Sequence, residues 1–530
     1  MTAPEDILLA RSQSRPQLLR LFVAISMALA ALPWASGPAW SQSASRPTFP
    51  GLPFPGLPQL PLPLPGGTGA NGFELPNLLP QPGPVPATSP AHEAMLKEYG
   101  GVFSGPQTAL VQSAITRISL AAGTFAPRGG YRVTLLNSPV LNAFAYPDGN
   151  AYITRQLLAL TNTEEDLIGI MGHEAGHVIF RHGNIDMALR TPQKAGAAVL
   201  GTFLPEVGNM AKVSGDLVLG VLDRAQEHQC DISGVKFLSK LGMDPLGMYR
   251  GIRALDLYEK LDNAEFGARS EGAMDYWLRS HPVNAERLSL ITTAAQTFTG
   301  PPTSPAARAA YIRALDGMLF DDGPNDGILD GRVFRHPAIG LALTIPDGWA
   351  MRNGQKVVFT NKAGGIVVMT MHAGSGTAEQ LFAKSWTDEF KPGKAPPTPS
   401  VADLGGIVRA TGSARTGTQA AMVDVTLAVY RWSNQGYIRI VAIDKGMKAQ
   451  PQIDSIIASV QRLSAQEAAN VRVRRVKVVE IRPGDTIAAL SERMAYDNLR
   501  EQRFRALNGL GPTDRLPAAG PVKLVVWAPR

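Results

Sequence analysis

Two histidines four positions apart constrain this chain more than any other feature of its sequence. His173 and His177 would project from one face of an α-helix, one turn apart. The surrounding sequence favours such a helix, because residues 161–164 (Thr-Asn-Thr-Glu) have the pattern of a capping box and Gly183 is a stop signal. Two imidazoles at this spacing can bind one metal ion. The alternative is a pair of core or surface histidines on an ordinary helix.

A metal site needs at least one further ligand, and Glu227 is the best candidate in the sequence. Its carboxylate can bind the metal, while Asp231, one helical turn later, can hydrogen-bond a histidine ligand and set its tautomer. His228 is a rival ligand, but on a helix it lies about 100° away from Glu227 and should point elsewhere. Glu174 follows the first histidine directly, where it can act on a water molecule instead of binding the metal.

Composition narrows the kind of metal site. Cys230 is the one cysteine among 530 residues, which excludes an intramolecular disulfide framework and a cysteine-rich zinc cluster. The chain has 51 Lys and Arg against 44 Asp and Glu, a net charge of +7, and no basic tract dense enough to predict a nucleic-acid partner. Histidine and carboxylate ligands are therefore expected to bind one Zn²⁺ per chain.

The motifs, taken in order, resemble those of the M48 peptidases, a family of zinc-dependent enzymes with a His-Glu-x-x-His motif and a more distant glutamate. The resemblance covers about residues 90–297. It fits the periplasmic branch of the family, since no transmembrane pattern flanks the motif. Four segments carry it: Asn142-Ala143-Phe144-Ala145, His173-Glu174-Ala175-Gly176-His177, Glu227 with Asp231, and Ser280-His281-Pro282 with Arg287.

The resemblance implies the chemistry of a zinc endopeptidase. Zn²⁺ bound by His173, His177 and Glu227 would keep one position open for water and lower the pKa of that water toward about 7. Glu174 would take the proton of the water during attack on a peptide carbonyl and deliver it to the leaving amine. The expected fold of this domain is mainly helical with a small sheet.

Two further parts of the M48-like pattern have more than one interpretation. His281 is a donor that stabilises the oxyanion, a removable fourth ligand that blocks the water position, or a loop histidine without a role. Residues Asn142, Ala143, Phe144 and Ala145 form either an edge strand that can pair with an extended substrate or an ordinary core strand.

The N-terminal sequence has the pattern of an export signal. Three arginines precede the apolar residues 21–32, a run that is too short to span a bilayer but suits a signal peptide. Small residues at the expected positions predict cleavage after Ser41, and an uncleaved anchor helix is the alternative. The mature chain is then expected in a bacterial periplasm, without a transmembrane span.

Shifts in composition divide the rest of the chain, and the overall fold class is expected to be α+β. A Pro- and Gly-rich tract, interpreted as a linker or alternatively as a docking segment, precedes the peptidase-like domain. A second linker and a small α+β, sandwich-like domain follow, and a βααβ module ends the chain. The predicted boundaries are 1–41 for the signal peptide, 42–90 and 301–333 for the linkers, 91–300 for the peptidase-like domain, 334–465 for the sandwich-like domain and 471–530 for the module.

The C-terminal module resembles a LysM domain, a type that binds N-acetylglucosamine glycans such as peptidoglycan. Gly484-Asp485-Thr486 and Leu507-Asn508-Gly509 stand at the places where that pattern has a turn and the end of a helix. Glycan binding and a purely structural role are both compatible with this sequence.

Together these features predict a periplasmic zinc endopeptidase that hydrolyses unfolded or misfolded envelope or outer-membrane proteins. The substrate class follows from the family resemblance alone. The alternative belongs to a different class, a peptidoglycan-binding or chaperone-like envelope scaffold whose zinc site is structural or silent. The complete set of His173, Glu174, His177 and Glu227 favours the enzyme, since a silent site has little reason to retain Glu174.

Overall fold

The computed structural model describes residues 90–182, 215–266, 281–353, 356–389, 395–418, 421–444 and 448–530. The predicted signal peptide (1–41) and the first predicted linker (42–90), apart from its last residue, lie outside the described residues. Within the described ranges, none of the helices combines the length and the apolar character that crossing a membrane requires.

The described part of the chain is a mixture of helices and sheets, which agrees with the expected fold class at that level. The helices are α1 (Pro90–Glu98), α2 (Thr108–Ala122), α3 (Arg155–Leu160), α4 (Glu164–Ile179), α5 (Gly215–Lys240), α6 (Leu246–Phe266), α7 (Ala285–Ala295), α8 (Pro305–Ala314), α9 (Ala378–Glu389), α10 (Gln450–Ala458), α11 (Ala465–Ala469), α12 (Ile487–Ser491) and α13 (Arg500–Leu507). The strands are β1 (Arg132–Leu136), β2 (Ala143–Ala145), β3 (Asn150–Thr154), β4 (Leu319–Phe320), β5 (Ile328–Asp330), β6 (Val333–His336), β7 (Leu341–Thr344), β8 (Trp349–Arg352), β9 (Val357–Asn361), β10 (Gly365–Ala373), β11 (Ser400–Asp403), β12 (Val408–Thr418), β13 (Ala421–Arg431), β14 (Gly436–Asp444), β15 (Gln461–Arg462), β16 (Val473–Glu480) and β17 (Pro521–Ala528).

Helix α4, which contains the two histidines, lies at the centre of the first unit. It packs against α2, α5 and α6, and also against β2 of a three-stranded sheet. That sheet has the order β1–β3–β2, with β3 parallel to β1 and antiparallel to β2. The apolar side of α4, including Leu167 and Ile170, forms one buried core with Ile153 of the sheet. The sheet and the helices therefore hold α4 from several sides.

The close contact between α4 and α5 depends on glycine. A Cβ atom on Gly176 would lie 3.2 Å from both Cα and Sγ of Cys230, and one on Gly172 would lie 3.1 Å from the ring of Phe237. Such distances are tighter than ordinary van der Waals contact, so larger residues would push the two helices apart. Because both glycines lie on the α5 side of α4, they let α5 bring its own side chains next to the histidines.

The middle unit contains two sheets that share one core. Seven antiparallel strands follow the order β11–β12–β13–β14–β10–β9–β8, and four shorter strands follow the order β15–β7–β6–β5. Phe334 and Leu343 of the smaller sheet meet Phe359 and Ile440 of the larger sheet in one buried cluster. A second buried cluster lies between α9 and the larger sheet, and it contains Trp386 of α9. Among the described residues, both clusters are separate from the core around α4.

The C-terminal segment has the order strand, helix, helix, strand, but its core is continuous with the core around α4. β16 pairs antiparallel with β17 and with β4. Phe504 and Leu507 are buried in the same cluster as the side chains of α4. Lys523 is fully buried and its Nζ donates hydrogen bonds to the carbonyls of Ala159 (2.6 Å) and Thr161 (2.8 Å). This segment therefore stabilises the stretch of chain that leads into α4.

Residues 301–333, expected to be a linker, instead contain α8, β4 and β5. Pro305 begins α8, because proline is favoured in the first helical turn. Ser304 caps this helix by accepting a hydrogen bond from the backbone N of Ala307 (3.1 Å). Tyr311 and Leu315 are buried in the core around α4. The prolines at 301–305 thus mark the break between α7 and α8, but the segment that follows them packs into the fold.

Candidate metal centre

Helix α4 begins at a capping box that lies further along the chain than expected. Thr163 accepts a hydrogen bond from the backbone N of Asp166 (3.1 Å), and the Asp166 carboxylate accepts one from the backbone N of Thr163 (3.1 Å). The expected box began at Thr161, but that residue caps the end of α3. Arg250 on α6 also donates to Asp166 (2.8 Å), which ties the cap to a neighbouring helix. The expected stop signal, Gly183, lies outside the described residues.

Four of the side chains selected from the sequence meet in one cluster. His173 Nε2 and His177 Nε2 lie 3.2 Å apart on α4. The Glu227 carboxylate on α5 reaches both, with Oε2 3.4 Å from His173 Nε2 and Oε1 3.4 Å from His177 Nε2. His281, which precedes α7, places Nδ1 2.7 Å from Glu227 Oε1 and 3.3 Å from His173 Nε2. Potential ligand atoms of all four lie within 4.8 Å of one another.

These separations fit a metal ion. Tetrahedral ligand atoms at the usual 2.0–2.1 Å from Zn²⁺ lie about 3.3 Å apart, and the separations among His173, His177 and Glu227 are 3.2, 3.4 and 3.4 Å. Oε2 of Glu227 lies 3.0 Å from Arg287 Nη1 as an ion pair, yet within the described residues no hydrogen bond of acceptable geometry reaches it. A buried oxygen in that state is suited to a cation. Imidazole and carboxylate are also donor types that zinc prefers.

Asp231 and Arg287 orient one of the histidines. Asp231 Oδ1 lies 3.0 Å from His173 Nδ1, an arrangement in which the proton lies on Nδ1 and the lone pair on Nε2 can bind a metal. Arg287 on α7 donates to both Asp231 oxygens (2.8 and 2.7 Å) and to the backbone carbonyl of His281 (3.1 Å). Both members of the Asp231–Arg287 pair are buried, so each charge compensates the other away from water. Arg287 thereby connects the His281 segment to α5.

The carboxylates make the cluster attractive to a cation. Burial opposes the charged form of His173, but Glu227 and Asp231 together raise its pKa to about 9. Burial also opposes the ionised form of Glu227, but the charge and hydrogen bonds of the histidines hold its pKa well below the usual range. Burial lowers the pKa values of His177 and His281, so both imidazoles keep a lone pair. A metal ion at Nε2 of His173 would satisfy the same negative field that favours a proton there.

Glu174 is buried beside the cluster without belonging to the group of potential ligand atoms. Its Oε1 lies 3.9 Å from His281 Nε2. This position suits a proton acceptor next to the metal rather than a ligand. His228, the rival ligand, lies outside the cluster, with Nε2 3.8 Å from Glu286 Oε1.

The predicted substrate strand lies at the edge of the small sheet. Ala143–Ala145 form β2, which α4 packs against and which has β3 as its neighbour. The ring of Phe144 stacks on Tyr152 of β3, 4.9 Å between centroids. Asn142 precedes the strand, and its Nδ2 donates to Tyr99 Oη (2.8 Å). Within the described residues no strand pairs with the other side of β2, so the strand combines packed side chains with an open backbone edge.

His182 belongs to the same neighbourhood, although its spacing provides no reason to select it. Its Nδ1 lies 3.0 Å from His177 Nδ1, and its Nε2 lies 3.1 Å from Gln229 Oε1. Burial lowers the pKa of His182 to about 4. Cys230 Sγ lies 3.6 Å from His182 Nδ1, so His177, His182 and Cys230 form a second group with atoms at metal-binding separations. Five positions along a helix would place His177 and His182 on different faces, so helical periodicity cannot find this contact.

Comparison with known proteins relates this cluster to a family. Residues 106–295 match the model of Peptidase family M48. The beta-barrel assembly-enhancing protease of Yersinia pestis is 28% identical over 252 residues, which cover 45% of this chain and 48% of that protein. The protein of the same name from Escherichia coli (strain K12) is 28% identical over 169 residues, 29% of this chain and 32% of that protein. The mitochondrial metalloendopeptidase OMA1 of Arabidopsis thaliana is 26% identical over 167 residues, 31% of each chain.

The similarity covers the cluster but not the whole molecule. The chain spans about half the length of the Yersinia pestis relative and about a third of the other two. The matched range includes α4 and extends to Glu227, Asp231 and His281. Residues 106–295 of this mixed helix-and-sheet chain are therefore similar to an M48 peptidase domain, and this segment contains the cluster.

Proposed function

We propose that this protein is a zinc-dependent endopeptidase that acts in a bacterial periplasm on unfolded or misfolded envelope proteins. The observation that carries the proposal is the approach of His173, His177 and Glu227 at the separations of metal ligands, with Glu174 buried beside them. The M48 match and the protease names of the relatives support a metalloendopeptidase.

Hydrogen bonds and an ion pair orient the proposed ligand side chains. His173 and His177 would hold Zn²⁺ through Nε2, and Glu227 would hold it through its carboxylate. The ion supplies a Lewis acid that lowers the pKa of water and polarises a peptide carbonyl. Asp231 keeps the proton of His173 on Nδ1, and Arg287 keeps the Asp231 carboxylate in place. These contacts direct the His173 lone pair toward the centre of the cluster.

Glu174 is the proposed general base. Its carboxylate accepts the proton of the attacking water as the new C–O bond forms, and it then donates that proton to the amine nitrogen as the C–N bond breaks. Glu174 is 3% exposed, so bulk water has little access to the proton that its carboxyl group holds. The same proton is thus available for the leaving amine.

His281 is proposed as a removable fourth ligand. Its Nδ1 lies 3.3 Å from His173 Nε2, about the separation of two ligands on one tetrahedral ion. As a fourth ligand the imidazole would occupy the place that the attacking water needs, so hydrolysis would require His281 to move. Once His281 is displaced, its ring N–H can donate to the oxyanion, which is the other role that the sequence suggests for it.

The substrate is proposed to bind as an extended strand beside β2. Among the described residues no strand pairs with the outer edge of Ala143–Ala145, and this strand is in contact with α4. Pairing through the backbone recognises an extended chain with little dependence on its side chains, which suits unfolded proteins. The names of the two bacterial relatives connect those proteins with β-barrel assembly, and we extend envelope substrates to this chain on that basis.

Replacement of Glu174 tests the proposed reaction. The Glu174→Gln variant should bind zinc as the wild type does, but hydrolyse casein about 10²- to 10⁴-fold more slowly, because it loses the proton acceptor. Glu286→Gln changes an exposed glutamate in the same way and serves as the matched control, with unchanged hydrolysis. Equal rates for wild type and Glu174→Gln would contradict the role of Glu174.

The second candidate function is an envelope scaffold that binds peptidoglycan through residues 471–530 and has a silent metal site. The order β16, α12, α13, β17 agrees with the order in a LysM-like module and favours this candidate. Because Lys523 and a shared core attach the segment to the peptidase domain, truncation would disturb the metal cluster. The full chain should therefore be sedimented with purified peptidoglycan, with N-acetylglucosamine oligomers as competitors. Absence of co-sedimentation would leave the segment with a structural role.

A further inference from the structure

The residues that follow α4 return the chain to the metal cluster. α4 ends at Ile179, and Arg181 then has a φ of 59°, a left-handed conformation that is uncommon for residues other than glycine. This turn places His182 back against α4, where it is 3% exposed and stacks on Phe180 at 5.6 Å between ring centroids. An unfavourable backbone conformation at Arg181 is thus coupled to a buried contact between His182 and His177.

The hydrogen bonds around His182 agree with one combination of tautomers. If His177 binds a metal through Nε2, its proton lies on Nδ1, which is 3.0 Å from His182 Nδ1. His182 Nδ1 must then accept, so the proton of His182 lies on Nε2. That nitrogen is 3.1 Å from Gln229 Oε1, an acceptor. His177 Nδ1 and both ring nitrogens of His182 therefore each have a hydrogen-bond partner of the complementary type.

We infer that His182 is a positioning residue for the metal site. Its Nδ1 accepts a hydrogen bond from the Nδ1–H of His177, and this contact directs the Nε2 lone pair of His177 toward the ion. The inference rests on the proposed function, because it takes His177 as a ligand. Asp231 has the corresponding position behind His173, 3.0 Å from its Nδ1. The two histidines of α4 therefore differ in the acceptor behind them, since one has a carboxylate and the other has an imidazole.

A second ion bound by His177, His182 and Cys230 is the competing interpretation of this contact. Cys230 Sγ lies 3.6 Å from His182 Nδ1, and the three residues have potential ligand atoms close together. Such an ion would need the Nδ1 atoms of both histidines as ligands, which removes the hydrogen bond between them. A neutral imidazole has one lone pair, so His177 can offer Nδ1 to a second ion only by giving up Nε2 as a ligand of the first or by losing its remaining proton. The hydrogen bond between His177 Nδ1 and His182 Nδ1 (3.0 Å) requires neither, and it is therefore favoured.

Two variants at position 182 separate positioning from packing. His182→Asn keeps an acceptor oxygen near the place of Nδ1, whereas His182→Leu fills a similar volume without an acceptor. We expect the zinc dissociation constant of the full chain, measured by chelator competition, to rise about 10- to 100-fold in His182→Leu and to be largely restored in His182→Asn. The matched control is His92→Leu, at a histidine that contacts Tyr152 (2.8 Å) on the small sheet, and it should leave the constant unchanged.

The outcomes distinguish this inference from the proposed function. A wild-type chain that binds no zinc overturns the proposed function. A wild-type chain that binds one zinc, together with unchanged binding in His182→Leu, overturns the role of His182 alone. Equal losses in His182→Leu and His182→Asn also overturn it, because they indicate packing. Two zinc ions per wild-type chain would overturn it in favour of the second site.

A measurement on the wild type covers the case in which His182→Leu does not fold. Side-chain ¹⁵N shifts of the histidines in the zinc-loaded full chain report the tautomer of each ring. We expect His182 to carry its proton on Nε2 and His177 to carry its proton on Nδ1. A His182 ring with its proton on Nδ1 would overturn the inference, since that nitrogen could not accept from His177.

Discussion

The two nitrogens of the His177 ring face two groups of side chains that are similar in residue type and different in charge. Nε2 faces the group with His173, Glu227 and His281, whereas Nδ1 faces the group with His182 and Cys230. Each group has its potential ligand atoms within reach of a single ion. The first group includes a carboxylate, which can balance the charge of a divalent cation, and the second does not.

The difference shows that ligand count and spacing are insufficient to define a metal site. In the first group, Glu227 Oε2 is buried with an ion-pair contact but, among the described residues, no hydrogen bond. In the second group, His182 lies between His177 and Gln229 at hydrogen-bond distances. Burial raises the pKa of the Cys230 thiol, which keeps it protonated. The first group is therefore suited to binding a cation. The second group is suited to orienting the His177 ring through the hydrogen bond with His182.

Of the changes that test this comparison, removal of the carboxylate of the first group should reduce zinc affinity the most. We expect Glu227→Gln to weaken zinc binding by more than about 100-fold, beyond the loss caused by residues that only orient a ligand. Chelator competition on the purified full chain measures the dissociation constant, and Glu286→Gln is the matched control at an exposed glutamate. Wild-type affinity in Glu227→Gln would mean that the ion is held elsewhere, with the second group as the next candidate.

Neutralising Asp231 should have an intermediate effect on zinc affinity, and it should also lower the free energy of unfolding. Asp231→Asn leaves the buried Arg287 without its closest partner, so we expect a loss of about 3 kcal/mol in the free energy of unfolding. Zinc binding should weaken about 10- to 100-fold because the acceptor behind His173 loses its negative charge. Denaturant unfolding and chelator competition measure the two effects. Asp347→Asn, whose side chain is 85% exposed opposite Arg332, is the control and should change stability by less than about 0.5 kcal/mol.

Removing the thiol of the second group should have the smallest effect. Cys230→Ala deletes Sγ and leaves His182 and Gln229 in place, so zinc stoichiometry should stay the same and affinity should remain within about twofold. A stability loss of about 1 kcal/mol is expected from the missing buried atom. Metal analysis of the purified variant gives the stoichiometry. A variant without zinc would show that Cys230 is a ligand, and it would reverse the assignment of the two groups.

Helical periodicity explains which parts of the site could be predicted from sequence. His173 with His177 and Glu227 with Asp231 are pairs at a spacing of four, so each pair lies on one face of its helix. His182 has no such signal, because its position depends on the left-handed backbone at Arg181. A local rule can place side chains on a helix, but it cannot predict where the chain turns after the helix ends.

Long-range contacts limited the prediction of the fold in the same way. The sequence predicts a βααβ module at residues 471–530, yet the attachment of this segment depends on Lys523, which reaches carbonyls of Ala159 and Thr161 far earlier in the chain. Lysine is almost always exposed, so sequence patterns place Lys523 on the surface. The prolines at 301–305 predict part of a linker, although Pro305 begins a packed helix.

Zinc K-edge X-ray absorption on the metal-loaded full chain tests the central assignment most directly, because it reports the ligand atoms themselves. We expect nitrogen and oxygen ligands at about 2.0–2.1 Å and no sulfur, in agreement with binding by His173, His177 and Glu227. A sulfur ligand at about 2.3 Å would place the ion beside Cys230 and contradict the account.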